Sequence, residues 1–296
     1  MINKNQPSSL QKKQQKILPD FIIIGAMKSG TTSLYYYLNS HPEISMSRDK
    51  ELNFFIAERN WQKGLNWYQS QFRGNAKIYG EASPNYTKYP GWVGVPKRMY
   101  QVLPHAKLIY ILRDPIERII SQYVHQYASG TENRSITEAL ADFENNPHNY
   151  YISRSRYYFQ LKQYLEYYSL SQILVLTSEE LANYPHKVLS TICRFLEVSD
   201  DISSIDYRGK FHRSFHKRRK NALGNAIAEL PLMSQLNDLP APIRFHLDKL
   251  IYFPFSTAIK KPKLDQDLRD KLISYLEDDI NQLRECTGKE FSDWCI

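Results

Sequence analysis

The stretch Phe21-Ile22-Ile23-Ile24-Gly25-Ala26-Met27-Lys28-Ser29-Gly30-Thr31-Thr32-Ser33-Leu34 constrains the fold more than any other part of the chain. Its four leading apolar residues, three of them β-branched, predict a strand covered on both faces, as in a parallel sheet between helices. Gly25 and Gly30 allow a tight turn and close approach of backbone to a ligand. Thr31, Thr32 and Ser33 then open a helix whose unpaired N–H groups and positive dipole end favour an anion. Lys28 adds a full charge inside the turn. The stretch reads as a phosphate cradle, but not as the nucleotide P-loop G-x-x-x-x-G-K-[ST]: Lys28 precedes the second glycine, and no lysine precedes the hydroxyl pair that would hold magnesium.

Further strands are expected at Lys77–Glu81, Lys107–Leu112 and Gln172–Leu176, separated by helical patterns at Leu34–Leu38, Pro96–Val102, Ser155–Tyr168 and Pro185–Glu197. Asp114 is a ready N-cap, Pro115 suits the first helical position, and Glu117 favours the first turn of a helix running to about Ala128. Strands alternating with helices indicate an α/β fold, a central parallel sheet flanked by helices in three layers. Residues 43–55 read as a charged loop ending in Phe54 and Phe55 that returns to the mouth of the cradle. A weak helix is expected near Ile136–Phe143, a basic loop at 206–220, loops without a recognisable motif at 130–150 and 220–245, and a last helix from about Leu264 to Cys286. With no repeat and no linker, the expectation is a flexible polar tail over 1–18 and a single domain over 19–296.

The chain of 296 residues is 42% hydrophobic and 24% charged, a globular composition, and its net charge of +8 points to an anionic ligand or acceptor. No run of about eighteen apolar residues predicts a membrane span, so no stable membrane insertion is expected. The polar start of the chain lacks the apolar core of a secretory signal. Cys193, Cys286 and Cys295 offer no metal spacing; a Cys286–Cys295 pairing stays open, while three cysteines in all suit a reducing, cytoplasmic setting.

Parallel sheets bind ligands beyond the carboxyl ends of their strands. Three polar positions fall there: the Lys28 turn, Glu81 and Arg113. Ser121 follows two helical turns into the helix after Arg113, so a planar guanidinium fork and a hydroxyl could together hold a second phosphate. Two phosphate sites on one sheet imply a nucleotide phosphorylated at two positions. Arg113 as a surface ion-pair partner is the other reading.

The segments IIIGAMKSGTTSLYYYLNSHPEI, KELNFF, GLNWY, GEASPNY and LIYILRDPIERIISQY, in this order, make the chain resemble the sulfotransferases that use 3′-phosphoadenosine 5′-phosphosulfate (PAPS). It is most similar to the heparan sulfate glucosaminyl group and its bacterial relatives. The likeness extends over about residues 21–127 and, more weakly, to about 220. It implies a P-loop-like three-layer fold and in-line sulfuryl transfer without a metal, releasing adenosine 3′,5′-bisphosphate. By the resemblance, Lys28, Ser29, Gly30, Thr31 and Thr32 would hold the 5′-phosphosulfate, and Arg113 and Ser121 the 3′-phosphate. Glu51 would be the base, Lys28 would also stabilise the leaving group, and Lys217, Arg218 and Arg219 would be candidates for a nucleotide lid. A solvated basic run is the alternative for these last three; no nucleic-acid reader motif accompanies the charge, and no nucleic-acid partner is expected.

Glu81, Asn53 and His125 are placed on the acceptor side, although His125, one turn beyond Ser121, reads more readily as a satisfied helix histidine. Relatives that modify glycosaminoglycans commonly carry a lysine where Ala82 stands, and some a histidine where Asn53 stands; both departures weaken the case for a heparan-like acidic sugar. The expected acceptor is a hydroxyl or amine on a carbohydrate, a glycolipid or another small molecule. The competing readings are a P-loop-like nucleotide-dependent kinase and a non-enzymatic polyanion-binding protein.

Overall fold

The computed structural model describes residues 17–205, 207, 217–230, 233, 247 and 250–296. Five strands, β1 (Phe21–Gly25), β2 (Ile44–Met46), β3 (Ile78–Ala82), β4 (Lys107–Leu112) and β5 (Ile173–Thr177), form one sheet in the order β2-β3-β1-β4-β5. All four pairings are parallel, with Ile22 opposite both Glu81 and Leu108. The cradle strand β1 is thus central, and every residue of it is buried. Strand β2, where the sequence predicts loop, is formed by pairing with β3; its three residues are too few to show an alternating pattern.

The helices whose bounds fall among the described residues are α1 (Thr31–Asn39), α2 (Gly64–Gln69), α3 (Val95–Val102), α4 (Pro115–Ser129), α5 (Ile136–Leu140), α6 (Tyr157–Leu165), α7 (Ser178–Asn183), α8 (Pro185–Leu196), α9 (Ala222–Ala228) and α10 (Gln266–Thr287). Successive residues of a strand face opposite sides of the sheet, and this sorts the core into two layers. Phe21, Ile23, Ile109 and Ile111 pack against Leu34 and Leu38 of α1 and Leu189 and Ile192 of α8. Ile22, Ile24, Leu108 and Tyr110 pack the other way, against Met99 of α3, Leu161 of α6 and Ile280 and Leu283 of α10. Each fully buried isoleucine or leucine here contributes roughly 1.5–3 kcal/mol. The result is an α/β fold of three layers around a parallel sheet.

The tyrosines act as posts between core and loops. Tyr164 donates to the Tyr86 carbonyl at 2.9 Å, Tyr168 to that of Leu103 at 3.0 Å, and Tyr157 to that of Arg113 at 2.7 Å. Helix α6 has no side-chain cap of its own; Asp279 of α10 supplies one, accepting from the Tyr158 and Phe159 N–H groups, each at 2.9 Å. Asp114 starts α4 by accepting from the Glu117 N–H at 2.9 Å, and its other oxygen accepts from the Cys295 N–H at 2.7 Å. Cys286 and Cys295 are free thiols, so the pairing left open by the sequence is not made.

Two short antiparallel strands, β6 (Arg218–Lys220) and β7 (Ser256–Ala258), make a ribbon apart from the main sheet. The sequence predicts loop at β6 and α9, because a run of arginines and lysines carries no strand signal. The tail over 1–16, residues 206 and 208–216 of the basic loop, and most of 231–249 lie outside the described residues.

Candidate active site

The turn after β1 is shaped by two different glycine requirements. A Cβ on Gly25 would fall 2.0 Å from the Thr87 hydroxyl oxygen, so close packing alone requires a glycine here. Gly30 has φ 92° and precedes α1 in the N-cap position without a side-chain cap. The first-turn N–H groups of α1 therefore lack a capping side chain, as at an anion site. Ser29 is fully buried, and among the described residues its hydroxyl has no hydrogen-bond partner. An unpaired buried hydroxyl costs about 1–3 kcal/mol, a cost that an incoming acceptor or donor would relieve. Of the two hydroxyls that follow, Thr31 is buried and Thr32 half-buried.

Cations converge on this turn. Lys28 is half-buried, and its amine is held below the ordinary lysine range by burial; a hydrogen bond with Lys217 and the charge of Glu51 oppose the shift, while Arg113 and Lys50 add to it. Lys217 Nζ donates to His125 Nδ1 at 2.7 Å. Burial and the charge of Lys28 push Lys217 down to about 7. Burial, Lys28 and Lys217 push His125 down to about 4, so the imidazole is neutral and able to accept. His125 thus combines its two sequence readings: it has a partner, and that partner lies in the cradle cluster.

Further along α4, Ser121 is buried, and Arg113 sits just past the carboxyl end of β4 with its side chain 27% exposed. Arg113 also makes the surface ion pair considered from sequence, with Glu117 at 3.1 Å, while Glu117 is shared with Lys261 at 2.6 Å. Exposed pairs of this kind are worth about 0–1 kcal/mol and yield easily to a phosphate.

The opposite wall is the segment around Glu51. Its N–H donates to the Ala82 carbonyl at 2.9 Å, and its carboxylate pairs with Lys50 at 2.7 Å with 41% of the side chain exposed. Glu51 (φ 67°) and Asn53 (φ 50°), like Lys28 (φ 75°), are in the left-handed region, which non-glycine residues enter at a cost of about 1–3 kcal/mol. Asn53 spends its amide on this geometry: it donates to the Glu51 carbonyl at 2.7 Å and accepts from Asn85 at 2.8 Å. These two bonds shape the wall.

The expectation for Glu81 is corrected. It is fully buried beneath this wall, accepting from Ser83 and Tyr86 at 2.7 Å each and from Tyr68 over a short bond. Phe54 stacks on Tyr68 with ring centroids 4.2 Å apart. Three hydroxyls answer the carboxylate, and no face of it is left for an acceptor.

From Lys217 into β6, the period-two alternation separates three neighbouring cations. Lys217 and Arg219 face α4, the latter over the Tyr127 ring at 4.1 Å and bonded to Asn133. Arg218 turns the other way, over Phe253 at 4.2 Å and donating to the Ser256 hydroxyl at 2.9 Å. Only Lys217 of the three reaches the Lys28 cluster; Arg218 is part of the ribbon's own packing, and Arg219 ties it to α4. Lys88 and Arg154, which carry no sequence signal beyond their charge, also reach the site's edge: Arg154 Nη1 lies 4.0 Å from the sulfur of Met27, next to Lys28.

The family description of a sulfotransferase domain matches residues 18–231, well over half of the chain. The chain belongs to the sulfotransferase family. It is 27% identical over 277 residues to bifunctional heparan sulfate N-deacetylase/N-sulfotransferase 1 of Caenorhabditis elegans, covering 90% of this chain and 32% of that protein. It is 32% identical over 218 residues to human heparan sulfate glucosamine 3-O-sulfotransferase 5, covering 70% of this chain and 62% of that one. This sulfotransferase therefore spans about a third of the first relative and under two thirds of the second. A solved sulfotransferase of Alicyclobacillus acidocaldarius matches at TM-score 0.68 and 26% identity, over 94% of this chain and 99% of that one.

Proposed function

We propose that this sulfotransferase moves the sulfuryl group of PAPS to a hydroxyl or amine of a saccharide. The observation that carries the reading is the cradle itself: Lys28 and Lys217 held together half-buried, beside a buried Ser29 hydroxyl without a partner. A cluster of like charges in partial burial is answered by a polyanion, and its position before α1 suits the phosphate end of a nucleotide. Bound PAPS would supply a phosphosulfate anhydride, whose sulfuryl group transfers and leaves adenosine 3′,5′-bisphosphate.

In that reading the Ser29 hydroxyl and the N–H groups from Gly30 to Thr32 hold the 5′-phosphate. Arg113, released from Glu117, and Ser121 hold the 3′-phosphate. Lys28 sits where negative charge grows as the leaving group departs, and a fixed cation there lowers the barrier. Glu51, whose field acts on Lys28 and His125, takes the acceptor's proton; its exposed pairing with Lys50 is weak enough to exchange for that contact. A saccharide acceptor is supported by the names of the relatives, which are heparan sulfate enzymes.

Calorimetric titration with adenosine 3′,5′-bisphosphate tests the donor half: binding by the wild type, weakened at least tenfold in Arg113→Ala, is expected. Labelled-sulfate transfer tests the rest. Glu51→Gln should keep nucleotide affinity and lose turnover; full turnover in that variant would assign the base elsewhere.

A further inference from the structure

Arg118, one turn into α4, is fully buried and is the largest such side chain among the described residues. Its guanidinium donates three hydrogen bonds: Nε to the Ser155 hydroxyl, Nη1 to Gln122 Oε1 and Nη2 to the Tyr151 carbonyl, each at 2.5 Å. All three acceptors are neutral. Among the described residues, no carboxylate forms an ion pair with it. Withdrawing a guanidinium from water costs several kcal/mol, and a well-packed apolar side chain in such a place is often as stable. An arginine here is therefore better explained by what its three bonds hold than by the stability it adds.

Those bonds lead back to the start of α4. The Ser155 hydroxyl accepts from Arg118 and donates to the Pro115 carbonyl at 3.0 Å. Two residues on, the Tyr157 hydroxyl donates to the Arg113 carbonyl at 2.7 Å. Gln122 accepts from Arg118 and donates from Nε2 to the Tyr150 carbonyl at 3.3 Å. The other side of this segment is fixed by Gln160, 1% exposed, whose Nε2 donates to the Ser153 carbonyl at 2.9 Å and the Tyr89 carbonyl at 2.7 Å. Its Oε1 accepts from the Tyr89 N–H at 2.8 Å. Residues 150–157 thus form a strip held along both sides, and Arg118 is the pin that joins it to α4. The two carbonyls the strip serves, those of Arg113 and Pro115, flank the point where β4 gives way to α4. The Arg113 side chain leaves from that point, and Ser121 stands three residues beyond Arg118, about 5–6 Å away between Cβ atoms.

Resting on the sulfotransferase reading, we infer that Arg118 is a positioning residue for the nucleotide: through Ser155 and Tyr157 it fixes the start of α4 so that Arg113 and Ser121 meet the 3′-phosphate together. Arg118 itself has no face open to a ligand. Three of its donors are spent on the protein, and its effect on the nucleotide passes through backbone. The placement matters because a guanidinium and a hydroxyl eight residues apart must hold one phosphate. A displacement of about 1 Å at the start of α4 takes one of the two out of hydrogen-bond reach. The side chain is needed for its shape as well as its charge: a lysine stays cationic but lacks the planar fork that reaches Ser155, Gln122 and Tyr151 at once.

The test titrates the whole chain calorimetrically with adenosine 3′,5′-bisphosphate and with adenosine 5′-monophosphate, which lacks the 3′-phosphate. The wild type should prefer the bisphosphate by about tenfold or more, the range of a charge-assisted hydrogen-bonded pair. Ser155→Ala and Tyr157→Phe each delete one hydroxyl of the linkage and should each lower that preference by about threefold or more, with the monophosphate Kd unchanged. Arg118→Lys, which keeps the charge and loses the fork, should lower it at least as far. A general loosening of the fold would weaken both ligands alike; that outcome, or an unchanged preference in Ser155→Ala and Tyr157→Phe, would overturn the assignment. Full preference in Arg118→Lys would overturn it too, because charge alone would then suffice. Should Arg118→Lys not fold, the two hydroxyl variants decide. A wild type that binds the two nucleotides equally, or neither, would instead count against the donor reading, so the two failures are told apart.

Discussion

Glu81 and Lys28 stand at the carboxyl ends of neighbouring strands, β3 and β1, and both are withdrawn from solvent, yet their surroundings are opposite in kind. Around Glu81, hydroxyls of Tyr68, Ser83 and Tyr86 converge on the carboxylate, and burial raises its pKa. Around Lys28 stand Arg113 and Lys50, each a further positive charge, and Lys217, which shares a hydrogen bond with it, beside a Ser29 hydroxyl that has no partner among the described residues. The first cluster is complete within the protein; in the proposed reading an anion completes the second. Completeness of hydrogen bonding and charge separates a structural polar group from a binding one better than burial does.

Four perturbations sharpen that contrast. The largest effect is expected from Lys28→Met, which in the proposed reading removes the charge that meets the departing phosphate: turnover in labelled-sulfate transfer should fall about 10²–10³-fold. Unfolding in urea should show no loss of stability, because a repelling, partly buried charge has gone. A parallel loss of stability would place Lys28 with Glu81 as a structural residue. Glu81→Ala reverses the pattern. It strands three buried hydroxyls at about 1 kcal/mol or more each, so unfolding free energy should drop by about 3 kcal/mol. The folded fraction should still bind the bisphosphate with wild-type affinity.

Ser29→Ala divides the two effects within one residue. Deleting a hydroxyl that has no partner should raise stability by about 1 kcal/mol, while bisphosphate affinity falls about five- to tenfold. If stability instead drops, the hydroxyl has a partner within the protein. The smallest effect is a pH dependence governed by Lys217. Its folded-state pKa of about 7 lies below the ordinary lysine value of 10.5, so between these limits the unfolded chain binds more protons. Stability without ligand should therefore rise as pH increases from about 7 towards 10, while affinity for the bisphosphate should fall because the anion needs the ammonium form. Calorimetry and thermal melts from pH 6 to 9 should show the opposite slopes, and both should flatten in Lys217→Met.

Much of the scaffold was legible in the sequence because the residues that make it carry local signals. Strands β1 and β4 are continuous apolar runs, and α4 announces itself through Asp114, Pro115 and Glu117. Strand β2 and the ribbon of β6 and β7 have three residues each and owe their form to partners distant in sequence. The turn around Lys28 was readable for the same reason as β1: its glycines, lysine and hydroxyls are contiguous. Direction was not readable. Whether a carboxylate at a strand end faces a ligand or three tyrosine and serine hydroxyls depends on side chains such as Tyr68, thirteen residues before Glu81. Nor could the sequence show that the buried amide of Gln160 ties the backbone at Tyr89 to that at Ser153.

Asp114 carries a practical consequence. One of its oxygens starts α4, the helix that bears Ser121, and the other holds the Cys295 N–H beside Arg113's neighbour in the chain. Burial and this same carboxylate push the Cys295 thiol up to about 12, so it stays protonated and reacts slowly with alkylating reagents while the grip lasts. Cys295 is therefore a native chemical clock for the corner of the molecule that holds Arg113. Its labelling rate, followed by mass spectrometry, reads how often that corner opens, with no engineered probe required.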